Sequence, residues 1–240
     1  MNNPRTIFLV FIGLIVTSCT AEPAIPTATV APTSAPTVAF TPTPDSLLPE
    51  GKIIFEKSST KKFSGTVTGI GETAILMANM SSGGQSQWST FVEAVDKQKF
   101  TTITFNYLQA DSIGAAQDTG IVLKKLRESG FERIICIGAS LGVGACSSLA
   151  REPEIVGLVL VAGPTNSGSL SKATFPKLFI AGAVDRWAVN TQMSYDEAAE
   201  PKTLVLFEAN SSHGASLFYS NDRDQFLTLL LDFVNSLAST

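Results

Sequence analysis

From Lys52 to Ile70 apolar and polar residues alternate across breaks of Ser, Thr and Lys, a two-residue period that predicts a short leading β-hairpin. Beyond it the pattern changes. Continuous apolar runs of strand length occur at Ala74–Ala78, Thr102–Phe105, Arg133–Gly138, Val156–Ala162, Lys177–Ala181 and Lys202–Phe207, bounded by Gly, Asn and Pro. Runs of that length predict strands covered on both faces, as in a parallel sheet. Between them the period lengthens to that of a helix. Trp88, Phe91, Val92 and Val95 share one stripe, and Ile113, Ala116, Gly120, Leu123 and Leu126 form a second that stops at Gly130. Phe226, Leu229, Leu230, Phe233, Val234 and Leu237 form a third, with i, i+3, i+4, i+7 spacing. Strand and helix in alternation, joined by right-handed crossovers, predict an α/β fold: a doubly wound, mostly parallel sheet with helices on both faces. In such a sheet reactive groups gather beyond the carboxyl ends of the strands.

The first fifty residues obey neither period. Arg5, the apolar stretch Ile7 to Val16 and the small residues before Cys19 read as a secretion signal, residues 1–18. The apolar stretch is too short to span a bilayer, which takes about 20 residues. Val16-Thr17-Ser18-Cys19 resembles the bacterial lipobox, which implies cleavage before Cys19 and lipidation of its thiol, hence a lipid bilayer as partner and an extracytoplasmic, membrane-anchored location in a cell envelope. Residues 19–49 follow as a linker; seven Pro and seven Thr between Thr20 and Pro49 leave nothing to build a core and favour extended polyproline II backbone. Residues 50–240 are the folded domain.

Composition narrows the function classes. The 240 residues are 44% hydrophobic and 16% charged, enough apolar material for one core-forming domain and too little charge for a disordered chain. The formal charge is −4 and no basic run exceeds Lys61-Lys62, so nucleic acid is not an expected partner. One His and three Cys are too few soft ligands for a zinc or iron site, and the expected chemistry needs neither a metal nor a cofactor.

One strand-to-helix turn carries that chemistry. The strand Arg133-Ile134-Ile135-Cys136-Ile137 runs into Gly138-Ala139-Ser140-Leu141-Gly142 and then a helix of small residues. In Gly-x-Ser-x-Gly a sharp turn aims the serine off the sheet, and the flanking glycines let strand and helix close around it. A serine hydroxyl is a poor nucleophile until an imidazole takes its proton and a carboxylate holds that imidazole in the right tautomer.

On this motif the chain from about Ile53 onward resembles the α/β-hydrolases, whose triad follows the order Ser, Asp, His. Gly182-Ala183-Val184-Asp185 after a strand is similar to the family's Gly-x-x-Asp turn, and Asn210-Ser211-Ser212-His213-Gly214 follows the last strand. The resemblance implies Ser140 as nucleophile, Asp185 as the orienting acid and His213 as the base, with Asp196 and Asp222 as substitutes for the acid. It also implies an oxyanion hole made by the amides of Leu141 and Ser81. The loop that holds Ser81, Asn79-Met80-Ser81-Ser82-Gly83-Gly84, departs from the family's His-Gly start, and whether Met80 or Ser81 donates is open at this point. Gly83-Gly84 lacks the Lys and Ser/Thr that a phosphate cradle requires.

Cys136 and Cys146 fall on apolar positions and read as buried thiols, their pairing undecided by spacing. Trp187 reads as core packing, with the lining of an acyl pocket as the alternative. Only about twenty residues separate the Val156–Ala162 strand from Asp185, so no large cap domain is expected and the site should be open. The expected function is a serine hydrolase acting on carboxylic ester or thioester bonds of a small acyl substrate through an acyl-enzyme. The alternatives are a surface-displayed binding module without turnover, or a peptidase or perhydrolase on the same triad.

Overall fold

The computed structural model describes residues 48–166 and 168–238. The signal segment 1–18, Cys19 and all but the last two residues of the 19–49 linker lie outside the described residues. The leading hairpin consists of β1 (Gly51–Glu56) and β2 (Lys62–Thr68), antiparallel, with Phe55 opposite Phe63. Their rings stack at 5.0 Å between centroids. Six further strands follow: β3 (Thr73–Ala78), β4 (Phe100–Phe105), β5 (Arg133–Ala139), β6 (Ile155–Val161), β7 (Lys177–Gly182) and β8 (Lys202–Phe207). The sheet has eight strands in the order β1-β2-β4-β3-β5-β6-β7-β8. From β4 to β8 all neighbours are parallel; β2 runs antiparallel to both its partners.

Parallel neighbours need crossovers, and five helices supply or follow them: α1 (Ser89–Ala94), α2 (Ser112–Glu128), α3 (Leu141–Ser147), α4 (Ala188–Glu197) and α5 (Arg223–Ser236). Alternate residues of each strand therefore meet different helices. Ala74, Leu76 and Ala78 of β3 pack with Val122 and Leu126 of α2 and Val143 of α3 on one face. Ile75 and Met77 pack with Phe91 of α1 and Phe226, Leu230 and Val234 of α5 on the other. All six β3 positions are buried, as a strand covered on both faces requires.

The helical stripe expected over α2 is corrected in its first half. Ile113 is 72% exposed, whereas Gly114, Ala115, Asp118 and Thr119 turn inward. Apolar periodicity misses this because the buried face carries an acid. Asp118 is held by Lys57 Nζ at 2.9 Å and by the Leu108 amide at 2.8 Å, which fastens the turn after β1 to α2. The start of α2 is set locally, by Asp111 accepting from the Gly114 amide at 2.8 Å. The pairing that spacing left open is decided: Cys136 of β5 and Cys146 of α3, both buried as expected, form a disulfide, Cα to Cα 5.7 Å. The bridge spans the turn that holds Ser140.

The connection from β6 to β7 runs from Ala162 to Pro176 and contains no helix among its described residues. Its described part carries no helical cap, and its start lies beside the carboxyl end of β5, where Asn166 Nδ2 donates to Gly144 O at 3.0 Å.

Candidate active site

The sharp turn after β5 puts Ser140 at φ 52°, ψ −110°, a positive-φ conformation that residues other than glycine rarely adopt. Its surroundings hold it there. The Ser140 amide donates to Val161 O at 2.9 Å, and its carbonyl accepts from the Val143 amide at 3.0 Å. The backbone is also squeezed sterically: a Cβ on Gly142 would lie 2.2 Å from Ala78 O, and one on Gly163 would lie 2.5 Å from Ser140 O. Only glycine fits either place.

Asp185 follows β7 in a turn closed by its own amide on Gly182 O at 3.0 Å. The neighbouring amides of Ala183 and Val184 donate to Phe207 O (2.8 Å) and Asn210 O (3.0 Å). The acid's loop is thereby tied to the end of β8, from which the histidine's loop departs. Asn210 organises that second loop: its Oδ1 accepts from the Ser212 amide at 2.7 Å, and its Nδ2 donates to Asp222 Oδ2 at 2.6 Å and Ser220 Oγ at 3.0 Å.

These constraints bring three distant side chains into line. Asp185 Oδ2 is 2.8 Å from His213 Nδ1, and His213 Nε2 is 2.7 Å from Ser140 Oγ. An ionised carboxylate only accepts, so Nδ1 carries the imidazole proton and Nε2 is left to accept from the serine hydroxyl. The other Asp185 oxygen accepts from the Trp187 amide at 3.1 Å, which locks the carboxylate's orientation. The Asp185 side chain is 2% exposed and that of His213 28%, an acid sealed beneath an imidazole that solvent can still reach. The two substitute acids take no part: Asp222 is bound to Asn210, and Asp196 accepts from Gln192 Nε2 at 2.9 Å.

Across the serine, the end of β3 leads into the loop from Asn79 to Gly84. Asn79 is a structural tie: its Oδ1 accepts from Trp88 Nε1 at 3.0 Å, and its Nδ2 donates to Phe105 O. Its carbonyl accepts from the Tyr107 hydroxyl at 3.1 Å, and burial pushes that phenol above its ordinary value. The Met80 amide is taken, donating to Gln87 Oε1 at 3.2 Å, while Gln87 Nε2 holds Gly84 O at 2.5 Å. The amides of Ser81 and Leu141 have no protein acceptor among the described residues, and both residues line a cleft of about 320 Å³ beside Ser140. Met80 is accommodated by a glycine on the facing loop. A Cβ on Gly214 would come within 2.7 Å of Met80 Sδ, and Gly214 itself has φ +55°. Trp187, expected in the core, is half-buried and lines the cleft with Ser112, Thr165 and Arg186.

Gln87 and Asn210 carry no sequence signal for these roles, because Gln87 acts on the backbone of the Asn79–Gly84 loop and Asn210 on the Ser212 amide and the side chains of Ser220 and Asp222. Among the described residues no three His, Cys, Asp or Glu side chains converge as a metal site would require.

Solved structures share this architecture. The esterase domain of a Rhodothermus marinus protein superposes with a TM-score of 0.63 at 15% identity, covering 78% of this chain and 98% of that one. The chain has the α/β-hydrolase fold. A Palaeococcus monoacylglycerol lipase ("Paleococcus ferrophilus") matches that fold with a TM-score of 0.63 at 11% identity, over 73% of this chain and 99% of its own. The proline iminopeptidase of Mycobacterium smegmatis matches with a TM-score of 0.64 at 12% identity, over 78% and 98%. No protein-family model and no curated protein matches the sequence.

Proposed function

We propose that this protein is a serine hydrolase that cleaves carboxylic ester or thioester bonds through an acyl-enzyme. The observation that carries the proposal is the unbroken relay from Asp185 through His213 to Ser140, at 2.8 and 2.7 Å. In this reading Nε2 removes the Ser140 proton as Oγ bonds to the substrate carbonyl carbon, and the resulting imidazolium is stabilised by Asp185. The carbonyl oxygen, now negative, is bound by the amides of Leu141 and Ser81. The imidazolium then gives its proton to the leaving oxygen or sulfur as the acyl bond breaks. Water, deprotonated by the same imidazole, attacks the acyl-serine; the acid departs and Oγ recovers its proton.

The open cleft, with no helix in the described part of the β6–β7 connection, supports a substrate of modest size. The N-terminal features support the rest of the reading: lipidation at Cys19 and display outside the cytoplasm on a Pro/Thr-rich stalk. The Cys136–Cys146 disulfide is in keeping with an oxidising compartment.

The test is labelling by a fluorophosphonate together with release of nitrophenol from a short-chain ester. Both should be lost in Ser140→Ala with its unfolding transition nearly unchanged. A Ser140→Ala protein that still turns over ester at the parent rate would remove the mechanism, and a parent chain that neither labels nor hydrolyses would leave a binding module. Palmitate labelling that persists in Cys19→Ala would sink the anchor.

A further inference from the structure

The cleft beside Ser140 combines a mainly apolar lining with a few polar groups, the ordinary make-up of a small-molecule site, and those polar groups set what it can select. Here the hydroxyl-bearing Ser81, Ser112 and Thr165 all line it, and none of their hydroxyls makes a hydrogen bond among the described residues. The single ionisable side chain in the lining is Arg186. It forms no ion pair among the described residues. Its guanidinium instead lies over the Trp187 ring, 5.7 Å from the centroid, a placement that holds the cation at the wall and leaves its donors free. The nearest acid in the chain, Asp185, is occupied by His213 and the Trp187 amide. The indole N–H of Trp187 is buried without an acceptor among the described residues, so it lies out of the cleft's reach and Arg186 is the donor that faces it.

A small cleft that offers one unpaired cation and several hydroxyls suits a short anionic group; the chain's net charge of −4 works against anions in general, so the attraction has to be local to Arg186. We propose that the site selects short esters that carry a carboxylate a few atoms from the scissile carbonyl, with Arg186 as the residue that binds the carboxylate. The inference rests on the serine-hydrolase reading for its chemistry but not for its binding claim. Arg186 touches the non-reacting end of the substrate, so its contribution is made equally before and during the reaction and falls on KM more than on kcat.

Two pairs of equal carbon number test this with the full chain: monoethyl glutarate against ethyl valerate, with the charge on the acyl side, and 4-acetoxybutyrate against butyl acetate, with it on the alcohol side. At low salt at least one anionic ester should be preferred about fivefold or more in kcat/KM, as expected for a solvent-accessible ion pair near a reaction centre. The ratio should fall towards one in Arg186→Gln, recover in Arg186→Lys, and shrink as salt is raised. Equal kcat/KM within both pairs, or a preference that survives Arg186→Gln, overturns the inference.

Binding is read separately in Ser140→Ala from intrinsic tryptophan fluorescence, titrating with the members of both pairs. Tighter binding of at least one anionic ester that depends on Arg186 supports the anion site even if no ester is ever turned over, in which case it is the hydrolase reading that has failed. Equal binding within both pairs rejects the site whatever the turnover.

Discussion

Gly142→Ala is the most direct probe of how the fold holds the reacting groups. The added methyl would lie 2.2 Å from Ala78 O, 2.7 Å from Ala78 C and 3.0 Å from Asn79 O. All three are backbone atoms, so no side chain can swing away, and relief requires the end of β3 and the start of α3 to separate by about 1 Å to reach ordinary van der Waals contact. That separation opens the gap between the Ser81 and Leu141 amides, the two donors assigned to the oxyanion. A misplacement of about 1 Å costs roughly 100-fold in rate, and overpacking a tight core site costs about 1–3 kcal/mol of stability. Turnover of 4-nitrophenyl acetate should therefore fall by about two orders of magnitude, with the loss in kcat, while urea unfolding shows a folded protein destabilised by a few kcal/mol at most. Gly120→Ala is the control, since a Cβ there meets nothing within 4 Å on α2 and should add about 0.5–1 kcal/mol of stability with activity intact. If Gly142→Ala matches the parent in both rate and stability, the close approach of β3 to α3 is not what positions the donors, and the steric argument fails.

Other predictions follow from single contacts. Cys146→Ala opens a disulfide that joins residues ten apart, and the chain-entropy account gives a loss of about 3 kcal/mol in urea unfolding; a loss below about 1 kcal/mol would show that the bridge adds little. Gln87→Leu leaves the Met80 amide without its acceptor, at a cost of about 1–3 kcal/mol, and should slow turnover by loosening the loop that carries Ser81; unaltered kinetics would free that loop from Gln87. Burial raises the Tyr107 phenol, so the folded protein keeps it neutral while an unfolded chain ionises near pH 10. The stability this confers is full below about pH 10 and is lost as pH climbs towards the folded value, so the advantage of the parent over Tyr107→Phe should shrink between about pH 8 and pH 11. A gap that stays constant across that range would count against the assignment.

Sequence alone determined the strands and most helices, because burial on two faces leaves an unbroken apolar run, as in β3, and burial on one leaves a periodic stripe; β8 departs from this, an apolar run at the sheet edge with Thr203 and Leu206 exposed. Sequence also nominated Ser140, Asp185 and His213, since each sits in a short motif whose position after a strand is itself readable. Neither apolar pattern registers a buried face that is polar or a contact that is long-range. Asp118 hid the true inward face of α2 because its burial depends on Lys57, sixty-one positions away. Gln87 and Asn210 left no trace because their partners are backbone atoms and side chains of other turns. Spacing could not pair Cys136 with Cys146, since the approach of their Cα atoms is set by how α3 folds back on β5. The same is true of Trp187 and Arg186: an aromatic and a cation beside an acid say nothing about what faces a cleft until the loops after β3, β4, β6 and β7 close around one. Local order follows from near neighbours along the chain, but a site is made of distances between segments, and those exist only once the sheet has brought the carboxyl ends of its strands together.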